Sequence, residues 1–332
     1  MNGKTVFIDN EDKLLEYIRD RFRETYNSGE RIAVKIHMGE PGNKYYIKAD
    51  FTGKVIDILL DMGCQPFIFD SPVMYRSPRG SIEGYQKSAA EHGYSEENMG
   101  VPVIISDNSI SRKGRYAEYD IITEPVEADG VLLLTHFKGH IASGIGGSIK
   151  NVGMGCMTKK TKEMIHRGGE PVYKEGCTQC GTCVENCPTG NIQIREDRPF
   201  FDQSWCPGCS NCVLSCPEGA ISARLEAFGR LIADAACTAH KEYRKVIALN
   251  VMKNITKLCD CAPSSGPVIL EDIGYLIADD MVTADIASLK LVEEVSGKED
   301  LFREHNLTSG WDHANEAIDI LGMDKLIDIN RL

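Results

Sequence analysis

Thirteen cysteines stand in the 332 residues, and eight of them fall between Cys177 and Cys216. The first four run Cys177-x2-Cys180-x2-Cys183-x3-Cys187-Pro188. The second four run Cys206-x2-Cys209-x2-Cys212-x3-Cys216-Pro217. Thiolate and iron are both soft, and four thiolates close one cubane. A tight loop places three sulfurs of a run around one cluster, and the fourth, before proline, points to the other. The spacing therefore predicts two 4Fe–4S clusters, one held by Cys177, Cys180, Cys183 and Cys216, the other by Cys206, Cys209, Cys212 and Cys187. A pair of zinc sites would use two CxxC pairs with a longer gap, which two four-cysteine runs closed by proline do not match.

A second segment with chemical potential is Thr135–Cys156, with glycines at 139, 144, 146, 147, 153 and 155. Amides freed by glycine can approach an anion closely, and Lys150 adds charge. Gly144, Gly146, Gly147 and Lys150 are thus expected to bind a phosphate- or carboxylate-bearing ligand. The alternative is a loop packed against a sheet with Lys150 solvated. Neither GxxxxGK[ST] nor GxGxxG is present. His140 and His166 bracket the lysine, and His140, Lys150 and His166 form the candidate catalytic group. His140 is the better proton-transfer residue, since its unperturbed pKa lies near neutrality; lone histidines are otherwise ordinary polar residues.

Smaller signals remain. Cys259-Asp260-Cys261 can share a soft metal, form a redox pair, or be two buried thiols. Asp272, Asp279 and Asp280 bind a cation or cap the helix that follows, and capping is favoured for Asp280. Asp70, Arg76 and Arg79 meet a carboxylate or lie in a solvated loop. Cys156 reads as a small loop residue rather than a pocket thiol, and Cys64 and Cys237 as core positions.

The elements that must position these groups alternate. Strands are predicted at Thr5–Asp9, Arg31–His37, Gln65–Asp70, Val101–Ser106, Val131–Thr135, Lys245–Val251, Pro267–Asp272 and Tyr275–Ala278. Helices are predicted at Glu11–Tyr26, Phe51–Met62 (with Val55, Ile56, Leu59 and Leu60 inward), Ile82–His92, Thr158–His166, Leu225–Lys241, Ala284–Val295 and Ala314–Leu321. Such alternation implies an α/β fold with a mainly parallel sheet covered on both faces. Ligands then sit beyond the carboxyl ends of the strands, where Lys35, His37, Asp70, Thr135 and His136 lie. Because the pattern resumes after the cysteines, residues 1–170 and 225–332 are expected to form one α/β domain, with 171–224 an inserted module. The net charge of −12 argues against nucleic acid and anionic membrane surfaces as partners. The first ten residues lack a basic stretch followed by an apolar one, and the longest clean apolar run is Val131–Leu134, so a cytoplasmic protein without disulfides is expected.

The cysteine block resembles bacterial dicluster ferredoxins: Thr189, Gly190 and Ile192 of its first repeat match Glu218, Gly219 and Ile221 of its second. Most of the chain resembles the DUF362 proteins, through Lys35 and His37, the Thr135–Gly155 segment, the dicluster insertion, Cys259-Asp260-Cys261 and Asp272-Ile273-Gly274. About thirty residues are also similar to nickel-pincer lactate racemase. That resemblance implies a lysine anchoring the pincer cofactor (Lys150), a nickel-ligating histidine (His166) and an acid/base histidine (His140). It departs from the racemase pattern in having two residues, Ser148 and Ile149, between Gly147 and Lys150 instead of one. Together these readings imply the redox component of a reductase. It would take electrons from a low-potential partner and deliver them to a small molecule near His140, Lys150 and His166, with a further two-electron cofactor at the substrate side. A ferredoxin-like electron carrier docking to a partner enzyme is one alternative; an isomerase or racemase on a pincer-type pocket is the other.

Overall fold

The structure, a computed structural model, describes residues 4–324 and 326–332. The apolar strand Gly130–His136 is buried throughout and runs through the middle of an eight-stranded sheet. The strand order is Asn330–Arg331, Val6–Ile8, Gly274–Ala278, Val246–Met252, Gly130–His136, Arg31–Lys35, Gln65–Asp70 and Val103–Ile105. Five neighbouring pairs are parallel and the two made by Gly274–Ala278 are antiparallel, so the sheet is mainly parallel, as the alternation predicts.

Alternation along each strand sends side chains to two cores. Ile32, Val34, Leu132 and Leu134 pack with Leu14, Ile18, Phe22, Val55 and Leu59 on one face. Ala33, Val131, Leu133 and Ala248 pack with Phe228, Ile232, Val282 and Leu289 on the other. The result is three layers, helices on both sides of the sheet. The first helix, Glu11–Thr25, begins where the Asn10 carboxamide accepts the amides of Asp12 (2.8 Å) and Lys13 (3.3 Å), and its inward stripe recurs every four residues at Leu14, Ile18 and Phe22. In Ala49–Asp61 the stripe is Thr52, Val55, Ile56 and Leu59. Leu60 is 42% exposed, contrary to expectation, because one residue past Leu59 turns about 100° off the buried face.

Within the predicted strand Pro267–Asp272, Val268–Leu270 is a strand that pairs with Ile255–Thr256 in a ribbon separate from the main sheet. The ribbon's loop carries Cys259 to Cys261. A hairpin, Ser109–Lys113 with Glu118–Ile122, was not anticipated; its exposed outer strand lacks an apolar stripe. The segment carrying the eight cysteines leaves the α/β body after the helix Lys159–Gly168. It returns at Phe228–His240, closed at its base by antiparallel pairing of Pro171–Tyr173 with Ile221–Ala223. Among the described residues no helix is long and apolar enough to cross a membrane.

Candidate functional site

The carboxyl ends of the parallel strands Arg31–Lys35, Gln65–Asp70 and Gly130–His136 open into a cavity of about 460 Å³, a volume suited to a small ligand. Its base is built from buried charges that answer one another. Lys35 Nζ lies 3.1 Å from Asp70 Oδ1, and Arg79 Nη1 lies 3.0 Å from Glu40 Oε2. Burial alone would raise the Asp70 carboxyl, but Lys35, Lys162 and Arg79 together hold it below its ordinary value. Arg79 is therefore a buried structural cation and not part of a solvated loop. Lys162 donates to Ser71 Oγ and to the carbonyls of Ser71 and Pro72, and burial pushes it down to about 7 against the pull of Asp70.

The opposite wall centres on Asp260. Its carboxylate lies 2.8 Å from His136 Nδ1 and 3.0 Å from Lys138 Nζ. Burial opposes ionisation there, yet His136 and Lys138 hold the carboxyl at about 2. Lys150, on the short helix Ser148–Gly153, is different. Its ammonium lies 3.8 Å from Cys259 Sγ. Burial, reinforced by Lys138, pushes its ammonium down to about 7.

The glycine-rich segment works otherwise than expected. The amides of Ser148 and Ile149, at the start of that helix, donate to the Asp285 carboxylate at 2.6 and 2.8 Å. Asn250 Nδ2 donates to it as well, at 3.0 Å. The chain thus supplies its own anion where a ligand anion was anticipated, and burial raises that carboxyl to about 6 despite the three donors. A Cβ on Gly147 would collide with Asp285, and one on Gly146 would stand 3.3 Å from Cys259 Cβ. Gly146 and Gly147 line the cavity. Gly144 does not: it has φ +73° and packs against Ser309 and Gly310, where a Cβ would enter their backbone.

His140 and His166 both reach the cavity with Lys150, so the three candidate catalytic residues are brought together. Their imidazoles are set in opposite tautomers by the hydrogen-bond network. The amides of Ala142 (3.1 Å) and Ser143 (3.0 Å) donate to His140 Nδ1, so its ring proton belongs on Nε2. His166 Nδ1 faces the Pro207 carbonyl at 2.9 Å, so it donates there and Nε2 keeps a lone pair. Burial, with Lys150 nearby, pushes His140 well below its ordinary value and lowers His166 as well.

In the insert, Cys177, Cys180, Cys183 and Cys216 line one small cavity, and Cys187, Cys206, Cys209 and Cys212 line another. The repeat extends to the backbone. Gln179 and Gly208, Gly181 and Ser210, and Gly190 and Gly219 stand at matched positions and all adopt positive φ. Such turns aim amides inward, as where the Gln179 amide donates to Cys177 Sγ (3.4 Å) and the Asn191 amide to Cys187 Sγ (3.3 Å). Cys206 and Pro207 also line the large cavity, so one cysteine set and the pocket share a wall.

Cys259 and Cys261 sit in that pocket joined by a disulfide, their Cα atoms 5.3 Å apart. This corrects the expectation of a chain without disulfides: the intervening Asp260 is tied into the wall, and the ribbon turn brings the two sulfurs together. Asp280 caps its helix, accepting the amides of Val282 and Thr283 at 2.8 Å. Asp272 accepts the Asn254 amide and Asp279 accepts from Lys4 and Arg21. Arg76 is exposed. Cys156 is buried in the core beside the pocket, as are Cys64 and Cys237 in theirs. Sequence reasoning missed Lys138, Lys162 and Asp285. An aspartate inside an otherwise apolar helical run was the available signal for the last.

A family model described as a domain of unknown function, DUF362, matches residues 32–290. No curated protein matches the chain. Among solved structures, a structural-genomics target from Thermotoga maritima is similar at 11% identity and a TM-score of 0.43, over 73% of this chain and 51% of that one. The lactate racemase apoprotein from Thermoanaerobacterium thermosaccharolyticum is similar at 10% identity and a TM-score of 0.45, over 88% and 57%. The chain thus spans little more than half the length of these structures.

Proposed function

The chain belongs to the DUF362 family, and within it we propose an iron–sulfur redox protein. Its insert holds two 4Fe–4S clusters, and its pocket presents a small anionic molecule for reduction. The residues fit the clusters: two sets of four cysteines each face a cavity of their own. Cys177, Cys180, Cys183 and Cys216 would hold one, Cys206, Cys209, Cys212 and Cys187 the other. When bound, such clusters supply single electrons at potentials tuned by hydrogen bonds and solvent access. The observation that carries the reading is the shared wall of Cys206 and Pro207 between the second cysteine set and the ligand cavity. Lys150 offers an ammonium that no carboxylate among the described residues neutralises at close range, and so attracts the anion. The Lys150 ammonium also supplies a proton, His140 Nε2–H donates a hydrogen bond to the bound anion, and the His166 Nε2 lone pair accepts a proton. A protein donor or acceptor of low potential exchanges electrons at the insert.

The test is the iron and sulfide content of anaerobically purified protein, together with its reduction by a low-potential dye. About eight irons and eight sulfides per chain are expected. A chain that binds zinc, or takes up no iron and sulfide on reconstitution, overturns the reading. The opposite tautomers of His140 and His166 favour a second reading, proton transfer at a carbon acid without net redox. Turnover of such a substrate with the iron held oxidised, and unaffected by loss of the cluster cysteines, would establish it in place of the first.

A further inference from the structure

The disulfide Cys259–Cys261 belongs to neither the cysteine repeat nor the sheet's core. It stands in the pocket wall, with Cys259 3% exposed and Cys261 more open. A ring nitrogen of His140 and the two sulfurs lie within 4.8 Å of one another. Such a trio suits two chemistries, a soft metal ion or thiol–disulfide exchange. The tautomer of His140 separates them. A histidine that binds metal through one nitrogen donates the other N–H to an acceptor. Here Nδ1 faces two backbone donors, the amides of Ala142 and Ser143. The nitrogen left for the sulfurs is Nε2, and it carries a proton rather than a lone pair.

We propose that Cys259 and Cys261 are a thiol–disulfide redox centre that exchanges two electrons with a small dithiol or disulfide entering this pocket. The geometry assigns the two sulfurs different parts. A thiolate of the incoming dithiol attacks the more open Cys261 sulfur, forming a mixed disulfide and breaking the Cys259–Cys261 bond. Cys259 leaves as thiolate. Lys150 Nζ at 3.8 Å and the Cys261 amide at 3.3 Å stabilise it, His140 Nε2–H is placed to donate a hydrogen bond to it, and the Lys150 ammonium gives up the proton that makes it a thiol. The second thiol of the dithiol then attacks its own sulfur in the mixed disulfide and releases Cys261. In sum, a dithiol and the protein disulfide give a cyclic disulfide and two cysteine thiols. Two electrons and two protons pass to the pair, and the reverse reaction reduces a disulfide ligand. A leaving thiol stabilised as thiolate speeds such exchange. This inference stands on the pocket geometry alone and holds whether or not the insert carries iron.

Trypsin releases Leu258–Lys290, which contains Cys259 and Cys261 and no other cysteine. The holoprotein is equilibrated anaerobically in dithiothreitol buffers of graded oxidation, quenched in acid, and its free thiols are alkylated before mass analysis. The peptide is expected to pass in one step from no label to two across the series, with the iron content constant. The rate of reduction should fall at least tenfold in Lys150→Ala, with the same end states. Two labels under every buffer, or none under any, overturns the proposal. So does a stoichiometric metal ion that the wild-type protein retains and Cys259→Ser loses.

Discussion

In the insert, Cys177, Cys180 and Cys183 reach one cavity from a single short loop, and only Cys216 comes from farther along the chain. In the pocket, Lys35, Asp70, His136, Lys150, His166 and Asp260 come from three strands, two helices and the loop of a ribbon. The insert positions its cysteines by local turns, several of them at positive φ in matched places. The pocket positions its groups by strand register and by buried ion pairs whose partners lie far apart in sequence, such as Lys138 with Asp260 and Lys35 with Asp70. The difference teaches that the two regions should fail differently. A local site loses what it holds when one ligand goes; a long-range site loses stability when one buried partner goes.

The largest expected effect tests the first half of that statement. Cys183→Ser should cut the iron of anaerobically purified protein to about half, about four atoms per chain, with the far-UV circular dichroism of the α/β body unchanged. Loss of the body's fold along with the iron would break the comparison.

Next comes Asp285→Ala, which strips the Ser148 and Ile149 amides and Asn250 of their shared acceptor. Unfolding in urea should show a loss of about 3 kcal/mol, the cost of leaving buried donors unpaired. The same residue carries a pH signature. Its carboxyl is raised in the folded state to about 6. Its contribution to stability is therefore fully present below the unfolded value, near 4, and is lost as pH rises through about 6. Asp285→Asn should remove that slope, reducing the stability difference between pH 5 and pH 8 by about 1.4 kcal/mol.

Smaller is the titration of Lys150. With its ammonium pushed down to about 7, it should be charged at pH 6 and neutral at pH 8. After reductive methylation with labelled formaldehyde, two resonances should titrate near pH 7 by NMR, those of Lys150 and Lys162, and one of the two should be absent from Lys150→Arg. A lysine titrating only above pH 9 would show the pocket to be wetter than its geometry implies. The smallest effect is at Leu60, where Leu60→Glu should change stability by no more than about 0.5 kcal/mol, since this side chain faces solvent.

Much of the fold was legible because it is periodic. The four-residue stripe at Leu14, Ile18 and Phe22 and the apolar run Val131–Leu134 each declare an element without reference to its neighbours. What misled was one residue of phase at Leu60. In the pocket, His140, Lys150 and His166 were recognisable by type and do share a cavity. Gly144 looked like a ligand contact and is a packing residue, because only the approach of Ser309 and Gly310 says what a missing Cβ makes room for. Asp285 was invisible as a pocket-framing group, since 137 residues separate it from the Ser148 amide that it accepts.

By itself the sequence determined the two cysteine runs, the tight turns within them and the alternation of strands and helices. Turn geometry at two- and three-residue spacing leaves the sulfurs few places to go. Tertiary structure alone decided that the glycine-loop amides serve Asp285, that His140 and His166 present opposite tautomers, and that Cys259 faces Lys150. A side chain's charge and protonation are set by whatever packs within a few ångströms of it. In this protein those neighbours arrive from strands, helices and a ribbon that the chain reaches at widely separated points.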